Sequence, residues 1–145
     1  MSEENVEIIR RMYEDSASRG SFAVPDAYHP EVVVDMSRAP CRHVIGGGVY
    51  HGHDGLRTFY RLWNDAWEIV ESVLEEVVDA GERVITFETM RGRGRASGAT
   101  VELHECGIWV LRGGKVVRVD WLDAANKEDL RAAGLADLVA AGPSE

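Results

Sequence analysis

Cysteine is scarce in this chain: Cys41 and Cys106 are the only two in 145 residues. They lie far apart and outside any paired-cysteine motif, which argues against a disulfide scaffold or a cysteine-ligated zinc site. Positive charge is also short, with 16 Lys and Arg against 25 Asp and Glu and a net charge of −9. General binding to nucleic acid phosphates needs a surplus of basic residues, so no nucleic-acid partner is expected. Long apolar runs are missing too, and nothing approaches the roughly 20 residues of a membrane helix. The opening Met1-Ser2-Glu3-Glu4-Asn5 is acidic and no apolar run follows it, so no secretory leader is expected and a cytoplasmic location is the default.

What the chain does have is 45% hydrophobic residues beside 28% charged ones, an ordinary balance for a globular protein. Its length reads as a single domain spanning 1–145, able to bury roughly 70% of the surface that its unfolded form exposes. A core with an internal pocket is within reach.

Val6, Ile9, Tyr13 and Ala17 recur at helical spacing between a Ser2 cap and a Gly20 stop. Phe22 to Tyr28 reads as a broken second helix, opened by Pro25 and ended by His29-Pro30. Val32-Val33-Val34 is a short strand, and Ser37 to His51, with Pro40 and three glycines at 46–48, is a long loop. Gly52 begins a helix with Asp54 in its first turn and an apolar face of Leu56, Phe59, Tyr60, Trp63 and Trp67. Glu68 to Asp79 stays open: Ile69, Val73 and Val77 fit a helix, whereas the β-branched content fits a strand. Three β segments follow, Arg83 to Arg95, Thr100 to Leu111 and Lys115 to Leu122, joined by turns at Ser97-Gly98 and Gly113-Gly114. A last helix runs from Asn126 to Ala133, with Gly134 past its end. Helices first and hairpin-linked strands afterwards make an α+β pattern, with helices covering one face of a curved, mostly antiparallel sheet.

The chain resembles the nuclear-transport-factor-2-like cone, and within it the SnoaL-like branch of polyketide cyclases and ketosteroid isomerase relatives. The resemblance rests on Tyr-Glu-Asp-Ser-Ala-Ser-Arg-Gly at 13–20, Gly-His-Asp-Gly-Leu-Arg-Thr-Phe-Tyr at 52–60 and Gly-Lys-Val-Val at 114–117, in that order, and covers Glu4 to Leu135. It implies a cone-shaped sheet with helices on its concave face, a strand at Glu68 to Asp79, and a homodimer formed through the sheet face. Cofactor-free acid/base chemistry on a small hydrophobic molecule is implied as well.

Tyr13 and Tyr60 have spacings similar to the paired pocket tyrosines of ketosteroid isomerases, Tyr13 as an electrophilic donor and Tyr60 as its neighbour. Two core aromatics at helical spacing would look the same. Those isomerases also need a carboxylate base at the end of the first strand, where Asp35-Met36 stands, and a neutral acid on a later strand, where Gly107 falls. Asp35 is therefore an alternative base only if it, and not Met36, faces inward.

Asp120, between Val119 and Trp121, is an unusual carboxylate for a strand. Asp-Trp-Leu-Asp at 120–123 is similar to the last strand of limonene epoxide hydrolases and SnoaL-like cyclases, which implies an acid/base residue facing the pocket. A solvent-facing or arginine-paired aspartate is the alternative. The hydrolase arginine and second aspartate fall near Glu88 and Met90, so that triad is absent. Phe59, Trp63 and Trp109 are expected to line the cavity, and Glu88 and Glu105 either to enter it or to lie solvated on the sheet.

Arg91, Arg93 and Arg95 share one strand face, where pairing with Glu71, Glu75 or Glu102 is expected. His43, His51 and His53 match no zinc motif, so neither metal nor cofactor is expected. The leading expectation is an isomerase, cyclase or hydrolase; the competing one is a non-catalytic ligand-binding or dimerisation module.

Overall fold

A computed structural model describes residues 2–19, 25–40, 42 and 48–135. Helix α1 (Ser2–Arg19) is followed by a 3-10 turn at Pro25–Ala27 and strand β1 (Tyr28–Arg38). Then come β2 (Val49–His51), helix α2 (Gly52–Ala66), β3 (Trp67–Ala80), β4 (Arg83–Gly94), β5 (Thr100–Arg112), β6 (Lys115–Asp123) and the short helix α3 (Lys127–Ala132). The six strands form one sheet in the order β2-β1-β6-β5-β4-β3. Every neighbouring pair is antiparallel except β1 and β6, which run parallel. No described helix is long and apolar enough to cross a membrane.

Alternation along the strands divides the sheet into two faces. Val84 and Met90 of β4, Trp109 of β5, Val119 and Trp121 of β6, and Val32, Val34 and Met36 of β1 join one core cluster. The same cluster contains Ile9, Met12 and Tyr13 of α1 and Leu56, Phe59 and Tyr60 of α2. These helices therefore cover the inner face, and each large apolar side chain buried there contributes about 1.5–3 kcal/mol relative to exposure. Ile85, Cys106, Ile108 and Leu122, on the opposite face, pack instead against Leu130 of α3 and Leu135.

Four stretches differ from the sequence expectation. β1 is an eleven-residue strand and not the three residues Val32 to Val34. Pro30 is tolerated because the pairing with β6 is irregular between Tyr28 and Val33, where a missing N–H costs little. The expected loop from Ser37 to His51 begins and ends in strand: Ser37 and Arg38 close β1, and Val34 pairs with Tyr50 of β2. Trp67, placed on the helix face, opens β3. Of the broken second helix only the turn at Pro25–Ala27 is described, and Tyr28 already belongs to β1; 22–24, Gly20, Cys41 and His43 lie outside the described residues.

Glu68 to Asp79 is strand throughout. Its helix-like spacing has a cause, since β3 carries irregularities between Ile69 and Glu71 and between Leu74 and Glu76. Each extra residue reverses the alternation, so Ser72, Leu74 and Val77 lie opposite Met90, Glu88 and Thr86 on the inner face. Gly52 begins α2 with φ of 70°, and a Cβ there would stand 3.2 Å from the Pro30 carbonyl oxygen. Only glycine makes this strand-to-helix corner without strain.

Candidate functional site

Two carboxyl groups are buried on the inner face. Glu88 of β4 and Glu105 of β5 are direct cross-strand partners, 8% and 4% exposed. Side chains so paired have Cβ atoms about 5 Å apart. The sequence left open whether they enter the cone; alternation with Val84, Thr86 and Trp109 brings them in.

Their surroundings differ. The Tyr13 hydroxyl donates to Glu88 Oε1 at 2.5 Å, and Ser72 Oγ donates to Oε2 at 3.3 Å. Burial pushes the Glu88 carboxyl up to about 6, and these two hydrogen bonds hold it from going further. Among the described residues none hydrogen-bonds the carboxyl of Glu105. Burial first, then the charges of Glu88 and Asp123, raise it well above the ordinary carboxylate range. One site thus holds two carboxyl groups whose surroundings push them up unequally, and environments that separate two carboxyls in this way suit acid/base chemistry near neutral pH.

Tyr13 of α1 is held by neighbours on β4 and β5. Its hydroxyl lies 3.2 Å from Thr86 Oγ1, which accepts the Trp109 indole N–H at 2.9 Å. Its ring meets Trp109 edge-on, and Trp109 meets Trp121 in the same way. The close approach depends on Gly107, where a Cβ would come within 2.7 Å of Trp109 Nε1 and 2.8 Å of Thr86 Oγ1. Tyr60, expected beside Tyr13, has its hydroxyl 3.3 Å from that of Tyr28. Both phenols are raised by burial, and the charge of Glu88 raises each further, which ties this pair electrostatically to the site. Phe59 stacks edge-on against Tyr60, and the half-buried Trp63 lies beside Phe59.

Asp120 and Asp35 are elsewhere. Asp120 pairs with Ile108 and Asp35 pairs with Asp120, so both lie on the outer face, whereas Met36 enters the core. Arg118 grips Asp120 with two hydrogen bonds, Nε to Oδ2 and Nη2 to Oδ1, both 2.9 Å, and reaches Asp35 Oδ2 at 3.1 Å. The structure therefore corrects the expectation that Asp120 shares a pocket with Tyr13: its strand parity is wrong for that, and the arginine-paired alternative describes it. Partial burial opposes ionisation of Asp35, but hydrogen bonds from Ser37 and the nearby Arg118 outweigh it and hold the group below its ordinary value.

On the outer face Arg91 pairs with Glu71 and Glu102 as expected, whereas Arg93 takes Glu68 and the third expected partner, Glu75, accepts from the Thr89 hydroxyl instead. Among the described residues no three His, Cys, Asp or Glu side chains converge as a metal site, and His53 Nε2 lies 2.9 Å from the Tyr28 carbonyl oxygen. Sequence reasoning missed Ser72 and Tyr28. Both were hidden by backbone detail, Ser72 by the irregularities of β3 and Tyr28 by the early start of β1. Thr86 carried a signal, its shared parity with Glu88.

A nuclear-transport-factor-2-like protein of unknown function from Burkholderia pseudomallei is similar over 88% of this chain and 95% of its own, at 26% identity and a TM-score of 0.68. TerC, co-crystallised with polyporic acid, is similar over 92% and 98%, at 21% identity and a TM-score of 0.67. A protein named for SnoaL-like polyketide cyclases, from Mesorhizobium loti, is similar over 79% and 95%, at 17% identity and a TM-score of 0.66. No curated protein sequence matches the chain. These likenesses agree with the cone of six strands, and the model of the SnoaL-like domain matches residues 9–119. The chain belongs to the SnoaL-like domain family.

Proposed function

We propose that this protein is a cofactor-free acid/base catalyst that moves a proton at the carbon beside a carbonyl of a small, mainly apolar molecule. The observation that carries the reading is the cross-strand pair Glu88 and Glu105, buried together, with the first poised to ionise near pH 6 and the second kept neutral. Glu105 donates its unshared hydrogen to the carbonyl oxygen while Glu88 takes the hydrogen from the neighbouring carbon, which leaves an enol. Return of the proton to the same or another carbon gives exchange, isomerisation or the first step of a ring closure. A base whose pKa lies near the working pH is the efficient choice. The aromatic side chains Trp109, Trp121, Phe59 and Tyr60 give the inner face its preference for apolar molecules. That TerC was co-crystallised with polyporic acid fits a ligand site within this fold.

Enolisable ketones, 2-tetralone among them, incubated with the protein in D₂O provide the test, with proton NMR following loss of the signal beside the carbonyl. Exchange should exceed that in buffer, rise with pH through a midpoint near 6, and fall about 100-fold or more in Glu88→Gln. Exchange at the buffer rate for every ketone between about pH 5 and about pH 9 would overturn the reading. A ketone that binds without exchanging would identify a ligand-binding module instead.

A further inference from the structure

We infer that Thr86 is a positioning residue, whose hydroxyl gives a single direction to a hydrogen-bond chain running from Trp109 through Tyr13 to Glu88 and so selects which oxygen of Glu88 receives a proton. The inference rests on the reading of Glu88 as a base and concerns how the base is held.

The direction follows from counting hydrogens. An indole nitrogen only donates, so in the 2.9 Å contact Thr86 Oγ1 accepts. A threonine hydroxyl has one hydrogen, and the Tyr13 hydroxyl lies 3.2 Å from it. The tyrosine has one hydrogen as well, and its 2.5 Å contact is with Glu88 Oε1. Three hydrogens serve three contacts when they run Trp109 to Thr86, Thr86 to Tyr13, and Tyr13 to Glu88. The reverse order needs a proton on Glu88 Oε1 donated to Tyr13 and the tyrosine hydrogen turned toward Thr86. Thr86 would then accept twice, and its own hydrogen would lose its place in a site where Thr86 is fully buried. Leaving a buried hydrogen-bonding group unsatisfied is costly, so the forward order wins.

Two consequences follow for Glu88. Oε1 is occupied by a short hydrogen bond from a phenol whose own oxygen accepts one, an arrangement in which each bond strengthens the next. Oε2, with only the 3.3 Å contact from Ser72, is the oxygen left to take a proton from a bound molecule. Tyr13 is thereby assigned to the base; its hydrogen is committed to Glu88 and is not the electrophilic donor to substrate that its spacing suggests. Gly107 belongs to the same device, because any side chain at that position would collide with both Trp109 Nε1 and Thr86 Oγ1.

The test is the titration of Glu88 read by carboxyl ¹³C NMR in ligand-free protein, with Glu88→Gln identifying the resonance. Thr86→Val keeps the shape and removes the hydroxyl. It should raise the Glu88 midpoint by about one pH unit, since the tyrosine donates less strongly once Thr86 no longer donates to it. Thr86→Ser should restore the original midpoint, and Thr86→Val introduced into Tyr13→Phe should add no further rise. If Thr86→Val does not fold, Trp109→Phe serves in its place. It removes the first donor and should raise the midpoint in the same direction by less. An unchanged midpoint in folded Thr86→Val, or in Trp109→Phe where that variant replaces it, overturns the inference. So does a Thr86→Ser midpoint that stays raised. Because no substrate enters the measurement, a chain that titrates as described in a protein inactive on ketones would sink only the proposed reaction, and an active protein with an unmoved midpoint would sink only the role of Thr86.

Discussion

A phenol and a carboxylate 2.5 Å apart, both largely buried, share a proton only as their neighbours permit. At the scale of single residues the site is governed by small groups, Thr86, Ser72 and Gly107, more than by the titratable ones the sequence draws attention to. Gly107 offers the plainest stability test. Adding one methyl places a carbon under 3 Å from two hydrogen-bonded atoms and 3.0 Å from the Trp121 ring, inside a wall of buried side chains. Gly107→Ala should lower stability by about 2 kcal/mol through overpacking, read from the urea midpoint. The tryptophan emission should also change, because Trp109 and Trp121 are the rings displaced; an unaltered midpoint would show that the wall yields freely. In the sequence the glycine registers only as a gap where isomerases place an acid. Its steric meaning needs the neighbouring strands.

At the scale of elements, strand parity decides which carboxylates meet. Three hairpin-linked strands and the apolar face of α2 are readable from alternation and helical spacing; alternation puts Glu105 on the face of Trp109 and Glu88 on that of Met90, while the register that makes them partners comes from the structure. Parity cannot say which side of β6 faces α1, so Asp120 gained its expected role from resemblance and loses its place in the pocket to the outer face. β3 is legible through the resemblance but not through periodicity, because two irregularities within fourteen residues turn a period of two into spacings that imitate a helix turn. The outer-face cluster can be tested separately from the inner site. Arg118 joins β6 to β1, the one parallel pair of the sheet, by bridging Asp120 and Asp35. Arg118→Gln removes a two-pronged grip and leaves two carboxylates facing each other, which should cost about 1 kcal/mol in urea unfolding once screening at this half-exposed position is allowed for. Asp120→Asn should leave ketone exchange within about twofold of the original rate, since the side chain lies across the sheet from Glu88. A drop of about 100-fold or more would return Asp120 to the chemistry.

At the scale of the whole molecule, the buried acids make folding itself depend on pH, in a direction opposite to that of a salt-bridged protein. Glu88 ionises near 6 in the fold and near 4.5 when unfolded, so between those values the native state holds the extra proton. Stability therefore falls as pH rises through this window. Its contribution is fully present below about 4.5 and is lost above about 6, a change of about 2 kcal/mol. Glu105, raised further, continues the decline at higher pH. Asp35 acts in the other sense, since its lowered pKa stabilises the fold above the ordinary aspartate range and that stabilisation is lost as the acid limb is entered. A net charge of −9 adds general repulsion as carboxylates ionise, but every variant shares nearly all of it. The difference between the original chain and Glu88→Gln isolates the buried group. Glutamine still accepts from Tyr13, so the variant should match the original near pH 4 and exceed it by about 2 kcal/mol near pH 8, measured by urea unfolding at each pH. Parallel curves at all pH values would mean that Glu88 titrates as an ordinary surface carboxylate. A site that destabilises its own fold at the pH where it becomes a base is what a buried catalytic carboxylate requires.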